Sequence, residues 1–357
     1  MITRRFSSSN NSAFVARYEA QRIAFGPIVF HCVRYAWKRG LLQALADAAD
    51  KGLTVLELAD KGLGNAYAIG VVLESSLSAG VVELRDGRYL LDKVGFCILT
   101  DTMTQVNLDF VHDVCYQGMA HLEASLDAQQ PLGLSVLGDW STLYEGMSML
   151  PEPARSSWFA FDHFYSDTLI QSILPDVFKT EPKHLMDIGA NTGRFAAVAL
   201  QHDAAVQMHL VDLPQQLAIA DKALRDAGLR HRTQFHPVNL LDENCDLPQG
   251  MDVIWMSQFL SCFSEVAIAS ILQRAAQALA DGGHLLILDT LWDLQKYEIA
   301  AYCLINSSPY FTAMASGNSK IYESEVYIRL CNQVGLKLID IREGLGYGHA
   351  LLRFQRE

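Results

Sequence analysis

No run of apolar residues in this 357-residue chain is long enough to cross a bilayer, although half of its residues are apolar. The seven cysteines, Cys32, Cys97, Cys115, Cys245, Cys262, Cys303 and Cys331, contain no C-x-x-C pair and no regular spacing. They sit in apolar stretches and read as reduced core residues of a cytoplasmic protein, and no metal site is expected. Basic residues are in the minority. With 28 Lys and Arg against 40 Asp and Glu the formal charge is −12, which excludes a general nucleic-acid binder. The stretch Met1 to Ser12 is polar and serine-rich and lacks the apolar segment of a secretory signal, so residues 1–16 are expected to be a disordered leader.

What is present is an alternation of strands and helices in the second half. Leu185 to Ile188 reads as a buried strand, Gly189-Ala190-Asn191-Thr192-Gly193 as a tight turn, and Arg194 as the opening of a helix. Gly189 and Gly193 remove side chains where backbone must pass close to a ligand and where helix packs on strand. Their spacing is neither G-x-G-x-x-G nor a phosphate loop with its Lys-Ser/Thr. Asp187, at the strand end, can accept hydrogen bonds from a cationic or amino group. Met208 to Val211 reads as a second strand ending in Asp212-Leu213-Pro214, which places an acid where it can take both hydroxyls of a ribose. His236 to Leu241, the strand Met251 to Met256, a helix to Leu279 stopped by Asp281-Gly282-Gly283, and the strand His284 to Leu288 leading to Asp289 complete the series.

The first hundred residues read differently. Phe30, Val33, Ala36, Trp37, Leu41, Leu42 and Leu45 recur at helical spacing. Thr54 is a candidate N-cap with Glu57 at the capping-box position. Ala66 to Ala79 makes a further helix, and Asp86-Gly87 is a hairpin turn between Val81–Leu84 and Arg88–Leu91. Helix-turn-helix plus hairpin is a winged helix. A recognition helix should display Arg and Lys, whereas Ala66 to Leu77 displays none, so its apolar face suits dimerisation better than DNA.

This order of elements resembles the class I S-adenosylmethionine-dependent methyltransferases, and more narrowly the winged-helix O-methyltransferases of the caffeate and hydroxyindole type. The resemblance implies a Rossmann-like α/β domain over residues 170–357, a winged-helix dimerisation domain over 17–105 and a helical connecting segment, 106–169, lining the acceptor pocket. It implies homodimers, S-adenosylmethionine as cofactor and S-adenosylhomocysteine as product. The cofactor set it assigns is Asp187, Gly189, Asn191, Gly193, Asp212, Leu213, Asn239, Leu240, Ser257, Gln258 and Tyr165. In that family Asn239 would replace an acid that accepts the adenine amino proton, and Leu240 would pack on the adenine. Ser257 takes the place of a lysine, and Tyr165 of a methionine, within Phe161 to Asp167. Tyr116, His121, Asp162, Phe259 and Phe263 fall on the acceptor side. The implied acceptor is a small phenolic aromatic, free or carrier-bound.

The catalytic motif departs from the family. Where a Leu/Cys-His-Asp-Trp-Ser-Asp motif is usual, the chain reads Leu260-Ser261-Cys262-Phe263-Ser264-Glu265, so Ser261 stands at the histidine position. Two orienting glutamates fall on Asp289 and Lys320. A phenol has a pKa of about 10, and a serine hydroxyl cannot remove its proton near neutrality. His163, His121 or a Cys262 thiolate could stand in, with His163 preferred, or the acceptor could arrive ionised. Transfer to ring carbon ortho to a phenol, and a non-catalytic cofactor-binding regulator, are the alternatives to O-methylation.

Overall fold

The computed structural model describes residues 11–166 and 169–356, so Met1 to Asn10 of the expected leader and Asp167 lie outside the described residues. The chain divides into two compact units at His112–Asp113.

In the first unit residues 13–16 of the expected leader are helical. Ser12 accepts a hydrogen bond from Val15 N–H at 3.3 Å and caps a helix, Ala13–Lys38, that takes in Phe14 to Ala16. Val33, Ala36, Leu41, Leu42 and Leu45 are buried together with Leu58, Ile69, Val72, Leu73 and the strand residues Val82 and Tyr89. The capping box forms as read: Thr54 Oγ1 accepts from Glu57 N–H at 3.2 Å, and Glu57 accepts from Thr54 N–H at 2.7 Å. Strands β1 (Val82–Arg85) and β2 (Arg88–Leu91) form the hairpin, with positive φ at both Asp86 (49°) and Gly87 (73°), as a two-residue primed turn requires. The helix Ala66–Ser78 commits Ile69, Val72 and Leu73 to the core and leaves Tyr67 and Val71 outside. The larger exposed apolar surface is on Ala13–Lys38, where Phe14, Tyr18, Ile23, Phe25 and Ile28 are all exposed.

The second unit is built on a seven-stranded sheet in the order β5-β4-β3-β6-β7-β9-β8, from β3 (His184–Ile188), β4 (Gln207–Asp212), β5 (Thr233–Pro237), β6 (Met251–Ser257), β7 (Leu279–Asp289), β8 (Leu336–Leu345) and β9 (His349–Arg356). The first five strands in this order are parallel, and β9 enters antiparallel between β7 and β8. Because β3 neighbours both β4 and β6, the order reverses there, and ligands of open α/β sheets bind at the carboxyl ends around such a point. One face packs Met186, Ile188, Ile254 and Ile287 against the helices Glu265–Ala278 and Ser324–Gln333. The other packs Leu185, Leu210, Val253 and Trp255 against Arg194–His202 and Pro214–Asp226. The helix ends at Ala278, close to the expected Leu279, but Asp281-Gly282-Gly283 lies within the next strand instead of between the two elements. The strand begins already at Leu279, with a register shift between Met251 and Val253; Gly282 takes φ +73°, and a Cβ on Gly283 would meet Met251 O at 2.9 Å.

Across the β3–β4–β5 edge of the sheet three imidazoles form a chain. His184 Nδ1 lies 3.3 Å from His209 Nε2, and His209 Nδ1 lies 3.2 Å from His236 Nε2. Burial, and then its two histidine neighbours, lower the His209 pKa to about 4. Between the unfolded value of about 6.5 and pH 4 the unfolded chain therefore binds a proton that the folded chain refuses. Stability is unaffected above that window and falls by about 3 kcal/mol on acidification through it. Buried His349 acts in the same direction, whereas Asp187, with a raised pKa, acts in the opposite one. The difference between wild type and His209→Gln in urea titrations at a series of pH values isolates the group. We expect the variant to lose less stability than wild type on going from about pH 7 to pH 5; parallel losses would contradict the assignment.

Candidate active site

The site lies at the carboxyl edge of β3, β4, β6 and β7. After Ile188 the chain reverses through Gly189, at φ +80°, whose N–H donates to Val211 O at 2.9 Å. A Cβ there would strike the ring of Phe259, so glycine is required twice over, by backbone angle and by space. Gly193, at φ +75°, starts the helix Arg194–His202 and lets it approach Ala220, whose Cβ a side chain would meet at 3.0 Å. Asn191 between them also has positive φ, at 47°, and its N–H donates to Asp212 Oδ2 at 2.8 Å. Asp212 Oδ1 accepts from Leu213 N–H at 2.6 Å. Each carboxylate oxygen keeps a lone pair for a ligand hydroxyl.

Asp187 is 3% exposed, and its Oδ2 is buried with no hydrogen-bond partner among the described residues. Burial, reinforced by the charge of Asp212, raises its pKa to about 8. An orphaned, protonated acid beside a glycine turn fits a ligand that brings a positive charge, because such a charge would restore the carboxylate. These features fit S-adenosylmethionine: Asp187 and the Gly189 turn for its amino-acid end, Asp212 for its ribose.

Val238 N–H donates to Asp212 O at 3.0 Å and ties the next loop to the site. Asn239 is exposed there, and its Oδ1 already accepts from Leu241 N–H at 3.0 Å, leaving one lone pair. Leu240 is 7% exposed and packs in the core, while Leu241 is the exposed neighbour at 55%, so the core competes with the adenine role expected of Leu240.

After β6, Ser257 is followed by Gln258, at φ +49°, whose N–H donates to Leu288 O at 2.8 Å. Phe259 covers Gly189 and packs edge-on against Phe263 at 4.8 Å between ring centres. Ser261, at the histidine position, is 5% exposed, and its backbone donates to Asp289. Asp289 also accepts from Thr290 N–H and Tyr327 Oη, both at 2.8 Å. Burial raises its pKa to about 6, against those three donors. Asp289 thus anchors the Ser261–Cys262 turn. Burial pushes the Cys262 thiol up to about 12, which rules out the thiolate considered for it near neutral pH.

Two further hydroxyls reach this turn, and the sequence reading did not single them out. Tyr144 Oη is buried without a nitrogen or oxygen partner among the described residues and lies against Cys262. Burial, then Cys262, Tyr310 and Asp162, hold its pKa well above the ordinary tyrosine value. Tyr310, 8% exposed, accepts from Trp158 Nε1 at 2.8 Å. Trp140, lying over Gly138 and Gly146, fixes the short helix Leu143–Gly146 that carries Tyr144. On the helix Ala154–Ser166, Asp162 acts on Tyr144 and Cys262, but the neighbouring His163 is exposed and stacks on Phe159 at 5.9 Å. His121 is exposed as well, and Tyr116 is half-buried. Tyr165 packs edge-on against Phe161 at 5.1 Å. Lys320 is exposed, with its ammonium 5.5 Å from the Tyr322 ring centre, so no second acid stands beside Asp289 at the expected place.

The family description "Methyltransferase domain" matches residues 186–285, which hold the glycine turn, Asp212 and the Ser261 turn, and "Dimerisation2-like domain" matches residues 17–89. The chain carries a methyltransferase domain and is an S-adenosylmethionine-dependent methyltransferase. The L-tyrosine C(3)-methyltransferase of Streptomyces lavendulae is 23% identical to it over 318 residues, 88% of this chain and 85% of that protein. The 3-hydroxy-5-methyl-1-naphthoate 3-O-methyltransferase of Streptomyces sahachiroi is 26% identical over 264 residues, 73% of each. The structure of the S-adenosylmethionine-dependent methyltransferase SibL superposes on this methyltransferase with a TM-score of 0.68 and 20% identity, covering 94% of this chain and 98% of that one.

Replacing Asp212 by Ala should weaken S-adenosylhomocysteine binding by about 2–3 kcal/mol, since two hydrogen bonds to a charged group are lost. Calorimetry on both proteins checks this, and equal affinities would take Asp212 out of the site.

Proposed function

We propose that this enzyme methylates a small, flat aromatic acceptor bearing a hydroxyl, and that the acceptor lies against the Phe259–Phe263 turn. The observation that carries the reading is the composition of that turn's surroundings. The rings of Phe259 and Phe263 adjoin a turn surrounded by a few neutral or acidic groups, Tyr144, Tyr310, Cys262, Asp162 and Asp289, and the helix that carries Asp162 also carries the paired rings of Phe161 and Tyr165. Such a lining suits a phenol better than a sugar or a phosphate. The cofactor, held by Asp187, Gly189, Asn191, Gly193, Asp212, Leu213, Ser257 and Gln258, supplies an electrophilic methyl group on a sulfonium. The chain's part is to orient the acceptor and to hold its oxygen in a dry pocket, where charge neutralisation between phenolate and sulfonium is favoured.

The first reading is transfer to the hydroxyl oxygen. Transfer to ring carbon ortho to that hydroxyl is the second, favoured by Ser261 in place of an imidazole and by likeness to a tyrosine C(3)-methyltransferase over 88% of the chain. In both, the acceptor is best used as its anion, because the structure offers His163 only at an exposed position. Labelled cofactor incubated with phenols, hydroxycinnamates, hydroxynaphthoates and carrier-bound aromatic acids tests the reading, and the product's methyl position separates oxygen from carbon. Methylation of aliphatic alcohols or amines alone would refute it. His163→Ala should keep its rate within about threefold of wild type, whereas loss of a general base costs a hundredfold or more.

The dimerisation-type domain is read as forming a homodimer through Ala13–Lys38, whose exposed Phe14, Ile23 and Phe25 form an apolar surface unsuited to a free monomer. Residues 106–169 are read as the segment supplying the acceptor's cover. Seven free cysteines, and no helix among the described residues long and apolar enough to cross a membrane, accord with a cytoplasmic enzyme. The net acidic charge leaves nucleic acid out as a partner. Sedimentation should show a dimer that Phe14→Glu with Ile23→Glu dissociates; a monomeric wild type would refute the interface.

A further inference from the structure

Arg274, on the helix Glu265–Ala278, is 9% exposed and commits most of its guanidinium to one loop. Its Nη2 donates to Leu240 O at 2.7 Å, and its Nη1 to Asp242 O at 3.1 Å and to Cys245 Sγ. Nε returns to Ser270 O of its own helix at 3.3 Å. These acceptors are carbonyls and a sulfur, with no carboxylate among them. A guanidinium buried without an opposite charge is costly, and the fold bears that cost at the turn that follows Asn239. The turn is closed by Asp242 N–H, which donates to Asn239 O at 2.9 Å, and on its other side Val238 N–H holds Asp212 O at 3.0 Å. Asn239 is thus an exposed residue between two anchored neighbours.

One peptide group joins Arg274 to Asn239. The carbonyl of the Leu240–Leu241 peptide accepts from Arg274, and the N–H of the same peptide donates to Asn239 Oδ1 at 3.0 Å. In a trans peptide these two groups point in opposite directions, so fixing the carbonyl fixes the donor. An N–H aimed at the Asn239 side chain demands its oxygen rather than its NH2, and so decides which way round the amide lies. It takes one lone pair of Oδ1 and leaves the other. The charge at the head of this chain polarises the peptide and strengthens the bond that follows it. We infer that Arg274 is a positioning residue for cofactor recognition. Through the Leu240–Leu241 peptide it sets Asn239 as an acceptor, which selects a purine bearing an amino group over one bearing an oxo group. A carboxylate at this position, an acceptor on both oxygens, would need no such arrangement. An asparagine needs it because half of its amide is a donor.

This inference rests on the reading of Asn239 as the residue that meets the adenine amino group, and its test reads binding alone. S-adenosylhomocysteine and its 6-oxo analogue, S-inosylhomocysteine, are titrated calorimetrically into wild type, Asn239→Ala, Arg274→Met and the double variant. Wild type should prefer the amino form by about tenfold or more, and Asn239→Ala should bring the two ligands to within about threefold. Arg274→Met should do the same with Asn239 in place, and adding it to Asn239→Ala should change the preference no further. A merely structural role for Arg274 would weaken both ligands alike and keep their ratio, and that result overturns the proposal. Should Arg274→Met not fold, Arg274→Lys, which keeps the charge without the fork, is read in the same way. A preference lost in Asn239→Ala but kept in the Arg274 variant would leave the Asn239 reading standing without Arg274. A wild type without the preference, or a preference that survives Asn239→Ala, would remove that reading and the proposal with it.

Discussion

Two carboxyl groups at the ends of β3 and β4 govern this site. Asp187 and Asp212 project from adjacent parallel strands around the Gly189 turn, and neither can be fully charged without cost to the other. The fold resolves the conflict asymmetrically. Asp212 receives two backbone N–H groups, from Asn191 and Leu213, whereas Asp187 is left buried with an oxygen unpartnered among the described residues. The positive φ of Gly189 and Asn191, the covering ring of Phe259 and the close approach of the helix Arg194–His202 at Gly193 all serve this arrangement. A cationic ligand relieves the asymmetry, and the energy of that relief is available for binding.

The acceptor side follows a different logic. Asp289, the acid retained from the expected catalytic set, is occupied by Thr290, Tyr327 and Ser261, so it fixes the turn that carries Cys262 rather than an imidazole. Around that turn the hydroxyls of Tyr144 and Tyr310 and the thiol of Cys262 all stay protonated because burial disfavours their anions. Such a lining offers protonated groups and no base that could remove an acceptor's proton near neutral pH.

How much of this could be read from the chain depends on the range of the interaction. The glycine turn, the acid at the end of β4, the Thr54–Glu57 capping box and the Asp86-Gly87 hairpin are local, and each was legible because the residue types and their spacing state the geometry. The gap at Ser261 was equally plain. Tyr144 and Tyr327 were not legible, because each sits in a helix where tyrosine is ordinary and only long-range packing brings its hydroxyl to Cys262 or Asp289. The histidine chain escaped for the same reason: His184, His209 and His236 are separated by a helix each and meet only across strand register. Leu240 shows the converse, since the family resemblance assigned it to the adenine while its side chain packs in the core. The polar residues before Phe14 hid a helix because Ser12 serves equally well in a disordered tail and as an N-cap.

The most direct measurement of the carboxyl-pair account is the proton count on cofactor binding. S-adenosylmethionine is titrated calorimetrically into the protein near neutral pH, in buffers of different ionisation enthalpy. With Asp187 protonated below a pKa of about 8 in the free protein, binding should release about one proton per site at pH 7. The release should fade toward about pH 9 and vanish in Asp187→Asn. A wild-type enthalpy independent of the buffer would contradict the account, because it would mean that the cofactor meets a carboxylate already ionised.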